Sequence, residues 1–315
     1  MSSDPSVVAS PEPQVGALAI VDNFLPRDLA VAMRADIDAH FSTPFKHRPE
    51  THQVWNYWFV PQVYTYLRTQ PEKVIQRTSV ESFLGLLRSW STQTMGLARI
   101  SWPYLSLYLN GCRQGLHNDA KNGRFAFVYS LTRDERRSTG GETIVLRRGD
   151  PFLRGLGKAS AHTAFYELVE PRFNRLVVFD DRMVHGVQLV EGTMDPIEGR
   201  IVMHGHIEET GPIVTGPLPP EQVLQGLRFA LERFDKDCGV QAKQYDGVLV
   251  LRFAISSEGR VGRLRVLLNR VFAEHEGDVD WNAITANLIA ILGAIVFPAV
   301  AGETSVTVPM RFGGR

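Results

Sequence analysis

Residues 117–132 read HNDAKNGRFAFVYSLT. A histidine and an aspartate one residue apart lead into an apolar, aromatic run with the texture of a buried strand. Side chains at i and i+2 of a strand share a face, so His117 and Asp119 are expected to aim at one point in space. The same letters also read as a turn, because His-Asn-Asp followed by Asn122-Gly123 is ordinary loop chemistry. The rest of the chain has to decide between the two.

From Tyr104 onward, short strand candidates follow one another: YLSLYLN, RFAFVYSLT, ETIVLR, TAFYELV, RLVVFD and RIVMHGHI, separated by turn residues. That spacing predicts a β-barrel or sandwich of roughly eight strands. Upstream, GALAIVDNFLP predicts a strand and a turn, then a helix through DLAVAMRADIDAHF. A second helix is expected within SVESFLGLLRSWSTQTMG, with Phe83, Leu86, Leu87 and Trp90 at helical spacing. The run HQVWNYWFVPQVYTYLR, 52–68, is too rich in bunched aromatics for a simple amphipathic helix. It reads either as a lid that keeps water from a site or as a helix packed on the barrel.

TGPIVTGPLPPE, 210–221, has no periodicity and is the best domain boundary. Beyond it come an amphipathic helix (EQVLQGLRFALERFDKD), two strands joined by a Ser-Ser-Glu-Gly turn, an uncharged helix and a last strand, TSVTVPMRF. The expected organisation is a disordered leader (1–14), a main domain (15–212) and a small α+β domain (219–315).

Composition narrows the function. With 315 residues, zero formal net charge, 44% apolar and 22% charged residues, the chain has ordinary globular core material and no basic excess for nucleic acid. Two distant cysteines, Cys112 and Cys238, give neither a disulfide framework nor a CxxC metal site. Together with a start, MSSDPSVVASPEPQ, that lacks the pattern of a signal peptide, they point to the cytoplasm. The uncharged stretch 281–302 approaches the length of a membrane span, but Asn282, Asn287, Gly293 and Pro298 interrupt it, so a helix buried in the small domain is expected.

FDDRMVHGVQLV supplies a third ligand type, His185, on a short turn between strands. Two histidines and one carboxylate on one face of a metal leave the opposite positions open, which is the facial triad of non-haem Fe(II) oxygenases. Zinc accepts the same three ligands. Arg200, opening the strand RIVMHGHI, can hold a distal carboxylate through a bidentate, charge-assisted pair, as 2-oxoglutarate would require. Arg182 is the fallback, although it precedes His185 and should face elsewhere.

These elements together resemble the prolyl-4-hydroxylase-like branch of the 2-oxoglutarate/Fe(II) dioxygenases. The matching features are Tyr108 and Gly111 ahead of His117-x-Asp119, then Gly140-Gly141-Glu142-Thr143, then FDDRMVHGV, then Gly199-Arg200, spread over about 17–208. The resemblance implies a mainly β fold with flanking helices, built on a double-stranded β-helix (jelly-roll) core. Iron would sit on His117, Asp119 and His185, Arg200 would bind the 5-carboxylate of 2-oxoglutarate, and Tyr108 would hydrogen-bond the same group. The cofactors implied are Fe(II), 2-oxoglutarate and O2, with succinate and CO2 released. Related halogenases lack the carboxylate, so Asp119 points to hydroxylation or desaturation. The segment between His185 and Arg200 is longer than usual in that family, with TMDPIE as a small insertion.

The substrate is expected to be a peptidyl or amino-acid group or a natural-product intermediate. Arg200, Val202, His204 and His206 alternate onto one strand face, which makes His206 a candidate pocket residue; Arg124 is a second candidate, and a solvated turn its alternative. The rival reading is a non-catalytic binding protein that uses the barrel as a scaffold. The C-terminal region resembles the small C-terminal domain of TonB, on Ser257-Glu258-Gly259-Arg260-Val261, Phe297-Pro298 and the final strand. That implies a partner-binding or dimerising module, or a structural cap.

Overall fold

The computed structural model describes residues 17–42, 54–120, 124–146, 166–273 and 280–313. The expected leader 1–14 lies outside them. The chain divides into two compact units: Leu18–Ser89 with Arg99–Glu208, and Trp90–Ala98 with Glu209–Arg315.

The first unit is mainly β. Its strands are β1 (Leu18–Val21), β2 (Asn56–Val60), β3 (Tyr64–Thr69), β4 (Arg99–Ile100), β5 (Tyr104–Tyr108), β6 (Arg113–His117), β7 (Phe125–Ser130), β8 (Thr143–Leu146), β9 (Tyr166–Val169), β10 (Leu176–Asp180), β11 (His185–Val187) and β12 (Arg200–Glu208). They form one curled antiparallel sheet in the order β1-β10-β7-β12-β5-β3-β6-β11-β8-β9, with β2 beside β3 and β4 beside β12. This is the jelly-roll type of core, flanked by helices α1 (Arg27–Ser42) and α2 (Arg77–Thr94). FAFVYS and LVVFD read as unbroken apolar runs because β7 and β10 are buried along nearly their whole length. Phe127, Tyr129, Phe179 and the helix residue Phe83 are almost completely buried, each stabilising the fold by about 2–3 kcal/mol.

Two local expectations need correction. On α2 the buried stripe is Val80, Phe83, Leu84 and Leu87, whereas Leu86 is 39% exposed. Positions 80, 83, 84 and 87 keep the i, i+3, i+4, i+7 spacing, and Leu86 lies off that stripe. The aromatic run is not a helix packed on the barrel but the hairpin β2–β3, with Asn56 opposite Arg68 and Val60 opposite Tyr64. Its aromatic and β-branched residues obey a period of two, so the side chains part to opposite faces. Tyr57 and Phe59 stack on one face at 6.0 Å, while Trp58 stacks on Tyr66 on the other.

The second unit is a four-stranded antiparallel sheet in the order β13-β16-β14-β15, using β13 (Ile213–Thr215), β14 (Tyr245–Ile255), β15 (Val261–Ala273) and β16 (Thr304–Phe312). Helices α3 (Pro220–Ala242) and α4 (Trp281–Gly293) share its core, which includes Leu227, Phe234, Leu249, Phe253, Leu288, Leu292 and Val306. The turn between β14 and β15 needs Gly259, whose φ is +78° and whose Cα faces the Phe297 carbonyl. The Phe297 N–H donates to the Gly259 carbonyl at 2.9 Å, which ties this turn to the segment after α4. Only the first 13 residues of the uncharged stretch are helical. Among the described residues no helix is long and apolar enough to cross a membrane.

Candidate functional site

β6 and β11 pair antiparallel with His117 directly opposite His185, and the two imidazole rings lie 4.4 Å apart. Each ring is oriented by a backbone carbonyl two residues back. His117 Nδ1 donates to Gly115 O at 2.8 Å, and His185 Nδ1 donates to Met183 O at 2.9 Å. With the proton on Nδ1, each Nε2 presents a lone pair to the space between the rings.

Asp119 arrives differently from the strand-register expectation. It lies beyond the end of β6, and its backbone N–H donates to Asp181 O at 2.9 Å. The i, i+2 rule therefore does not place it; a loop contact does. Its carboxylate oxygens stand 4.0 Å from His117 Nε2 and 3.6 Å from His185 Nε2. One ligand atom from each of the three residues lies within 4.8 Å of the others. Two imidazole nitrogens and a carboxylate converging this closely form a donor set that a single cation can bridge. The His185 imidazole holds the Asp119 carboxyl down at about 2, against the opposing effect of burial. Burial, and then the neighbouring His185, pull His117 below the ordinary imidazole value. Asp119 is therefore anionic and His117 neutral at neutral pH, the forms that ligate a metal. Gln114 Nε2 lies 3.3 Å from His117 Nε2, so an incoming metal competes with Gln114 for that lone pair.

The three residues open onto a cavity of about 510 Å³, within the range of small-molecule pockets. Arg200 lies in its wall, 1% exposed, opposite Tyr108 in the β12–β5 register. Its Nη2 donates to Thr143 Oγ1 at 3.0 Å, and its guanidinium carbon sits 4.6 Å from the centre of the Tyr108 ring. Nε and Nη1 meet no acceptor in good hydrogen-bond geometry among the described residues, with the Tyr108 hydroxyl the nearest weak partner. A buried guanidinium with two poorly satisfied donors is costly, and a carboxylate at that position would satisfy both. The insertion before Arg200 is absorbed by a short 3-10 turn, Pro196–Glu198, capped by Asp195, so β12 still begins with Arg200.

Gly140-Gly141-Glu142-Thr143 does more than shape a turn. Gly140 and Gly141 have φ of +75° and +77°. A Cβ on Gly141 would stand 3.0 Å from Arg200 Cδ and 3.1 Å from Val190 Cγ2. Gly141 and Thr143 thus cradle the arginine, while Gly140 lies against the Leu189 backbone. Gly141→Ala is expected to destabilise the fold by about 1–3 kcal/mol in urea titrations and to weaken 2-oxoglutarate binding in parallel. Sequence reasoning missed Thr143; its signal was the position three residues after Gly140, at the start of a strand.

Tyr108 has its hydroxyl 3.4 Å from Gln114 Oε1, and burial pushes its ionisation upward, so it stays a neutral donor. Tyr66 stacks on Tyr108 at 5.1 Å, and Tyr64 meets His117 edge-on at 5.3 Å. His206 lines the cavity and bonds Asp181 Oδ2 through Nδ1 at 3.1 Å. His204 bonds Ser106 Oγ at 2.8 Å, and burial drags its pKa to about 3. Arg124 precedes β7, outside the residues that line the cavity; its backbone carbonyl accepts from Asp181 N. Arg182 is turned to Asp180, 2.7 Å away.

Residues 104–208 match the family model of the 2OG-Fe(II) oxygenase superfamily. This stretch carries Tyr108, the clustered His117, Asp119 and His185, and Arg200. The chain thus contains a 2OG-Fe(II) oxygenase domain, whose cofactors are Fe(II), 2-oxoglutarate and O2. Among solved structures, a Pseudomonas putida prolyl-4-hydroxylase is 17% identical with a TM-score of 0.44, covering 62% of this chain and 93% of that one. A Trichoplax adhaerens prolyl hydroxylase, solved with a hypoxia inducible factor peptide, is 13% identical with a TM-score of 0.40, covering 60% and 81%. The non-heme alpha-ketoglutarate-dependent epimerase SnoN of nogalamycin biosynthesis is 12% identical with a TM-score of 0.43, covering 60% and 74%. No curated protein sequence matches this chain. The family match ends at residue 208, and the comparisons lend no support to the TonB resemblance of the C-terminal unit.

Proposed function

We propose that the protein is an Fe(II)- and 2-oxoglutarate-dependent dioxygenase that hydroxylates an unactivated C–H bond of a peptidyl, amino-acid or natural-product substrate. One observation carries this reading. Two imidazole nitrogens and a carboxylate converge in a cavity whose wall holds a buried arginine with poorly satisfied donors. Zinc hydrolysis needs the first half of that arrangement and has no use for the second.

In this reading His117 Nε2, His185 Nε2 and an Asp119 oxygen hold the iron, and the Gly115 and Met183 carbonyls keep both rings in the ligating tautomer. Arg200 receives the 5-carboxylate of 2-oxoglutarate on Nε and Nη1, and Tyr108 donates its hydroxyl to the same group. Bound Fe(II) with 2-oxoglutarate and O2 supplies the oxidising power, one oxygen atom ending in succinate and the other in the product. Tyr64, Tyr66 and Phe179 line the cavity and exclude water from it. His206, fixed by Asp181, meets the substrate, with Arg124 as a candidate contact at the rim. The dioxygenase domain comprises 15–212, and 219–315 forms a partner-binding or dimerising module. A cytoplasmic location belongs to the same reading.

Purified protein given Fe(II), 2-oxoglutarate and O2 is expected to release succinate, slowly alone and faster with a substrate. Absence of succinate with iron bound would leave the non-catalytic reading. Hydrolysis that persists without O2 would instead favour the zinc enzyme.

A further inference from the structure

β3 sets Tyr64, Tyr66 and Arg68 on one face, and all three line the cavity. Arg68 lies opposite Ser106 of β5, while Arg200 lies opposite Tyr108 of the same strand. The two arginines therefore occupy neighbouring rungs of one wall, roughly 7 Å apart along the strand direction.

The setting of Arg68 is unusual for a cavity residue. Its guanidinium carbon stands 3.6 Å from the centre of the Trp58 ring and 4.0 Å from that of Tyr104. Both rings also line the cavity. Two rings this close hold the planar group in place through cation–π contact, and its N–H groups remain for hydrogen bonding, with the Tyr66 hydroxyl taking one small share. Among the described residues no carboxylate pairs with Arg68, and Asp119 is the one carboxylate in the cavity wall. His206, by contrast, has Asp181 as its partner, and His204 is neutral.

A count of charges shows what is missing. The two positive charges of Fe(II) and the one of Arg200 are offset by Asp119 and the two carboxylates of 2-oxoglutarate. Arg68 is left over. We infer that the substrate carries a carboxylate and that Arg68, held by Trp58 and Tyr104, is the specificity residue that receives it. The inference rests on the proposed function and narrows its substrate class to acids. The cavity, at about 510 Å³, has room for 2-oxoglutarate and a small acid or a chain terminus together.

The test uses matched pairs of acids and their primary amides: free amino acids, N-acetyl amino acids, and short peptides with free or amidated C-termini. Binding to the protein loaded with Fe(II) and 2-oxoglutarate, without O2, is read from the fluorescence of Trp58 and Trp102 in the cavity wall. At least one acid is expected to bind about tenfold or more tightly than its amide. Arg68→Gln should remove that preference by weakening the acid alone, and Arg68→Lys should keep part of it. Iron content and 2-oxoglutarate affinity, measured on each variant, establish that the pocket is intact. Equal binding of acids and amides by the wild type overturns the inference, as does failure of every acid to bind or a preference that survives Arg68→Gln. The pair that responds tells a free acid from a peptide terminus. An acid preference without any succinate release would sink the dioxygenase reading and leave the anion site standing.

Discussion

The Asp119→Ala variant is expected to lose Fe(II) and, with it, conversion of 2-oxoglutarate to succinate by about a thousandfold or more, some ~4 kcal/mol of barrier. Asp119 is the anionic member of the set, and two neutral imidazoles alone hold a hard divalent ion poorly. The loss should be chemical and not structural. The contact that places this loop, from Asp119 N to Asp181 O, is a backbone bond and survives the substitution. The side chain is 26% exposed, so no core cavity is left behind. Metal analysis after gel filtration, alongside a urea titration of the metal-free protein, separates the two effects. A variant that retains iron at the wild-type stoichiometry, with undiminished succinate release, would remove Asp119 from the site.

Arg200→Met is expected to change binding and stability in opposite directions. Arg200 is a buried cation whose protein contacts are Thr143 and Tyr108, with no carboxylate against it among the described residues. Replacing it with an apolar side chain of similar length removes that burden, and the free protein should gain about 1–3 kcal/mol. The same change takes two charge-assisted hydrogen bonds from the co-substrate, so 2-oxoglutarate affinity should fall about a hundredfold or more. Saturating 2-oxoglutarate should then raise the Tm of the wild type and leave that of the variant unmoved. A variant less stable than wild type and still shifted by 2-oxoglutarate would assign Arg200 to the core rather than to the ligand.

How much of this was legible in the letters depends on which forces fix each part. The triad was legible because its members sit on strands or at their ends, where residue type and turn chemistry are both explicit. Arg200 was legible because it opens a strand whose alternation points it inward. What escaped was set by tertiary contact. Asp119 reaches the site through a bond to Asp181 from the loop between β10 and β11, and no spacing rule in its own segment announces that. The hairpin at 56–69 hid behind its aromatic density; alternation was present, but the bunching of large rings obscured it. The roles of Gly141 and Thr143 depend on Arg200, some sixty residues away in sequence, and only folding brings them together. In the second unit the order of elements was readable, whereas the meeting of Gly259 with Phe297 was not.

The central claim is that one ferrous ion and one molecule of 2-oxoglutarate share the cavity. Crystals grown anaerobically with both, measured at the iron absorption edge, test it directly. The expected result is a single anomalous peak within bonding distance of His117 Nε2, His185 Nε2 and an Asp119 oxygen, with the far carboxylate of 2-oxoglutarate against Arg200. An iron peak elsewhere, or a co-substrate whose far carboxylate leaves Arg200 unpaired, would contradict it.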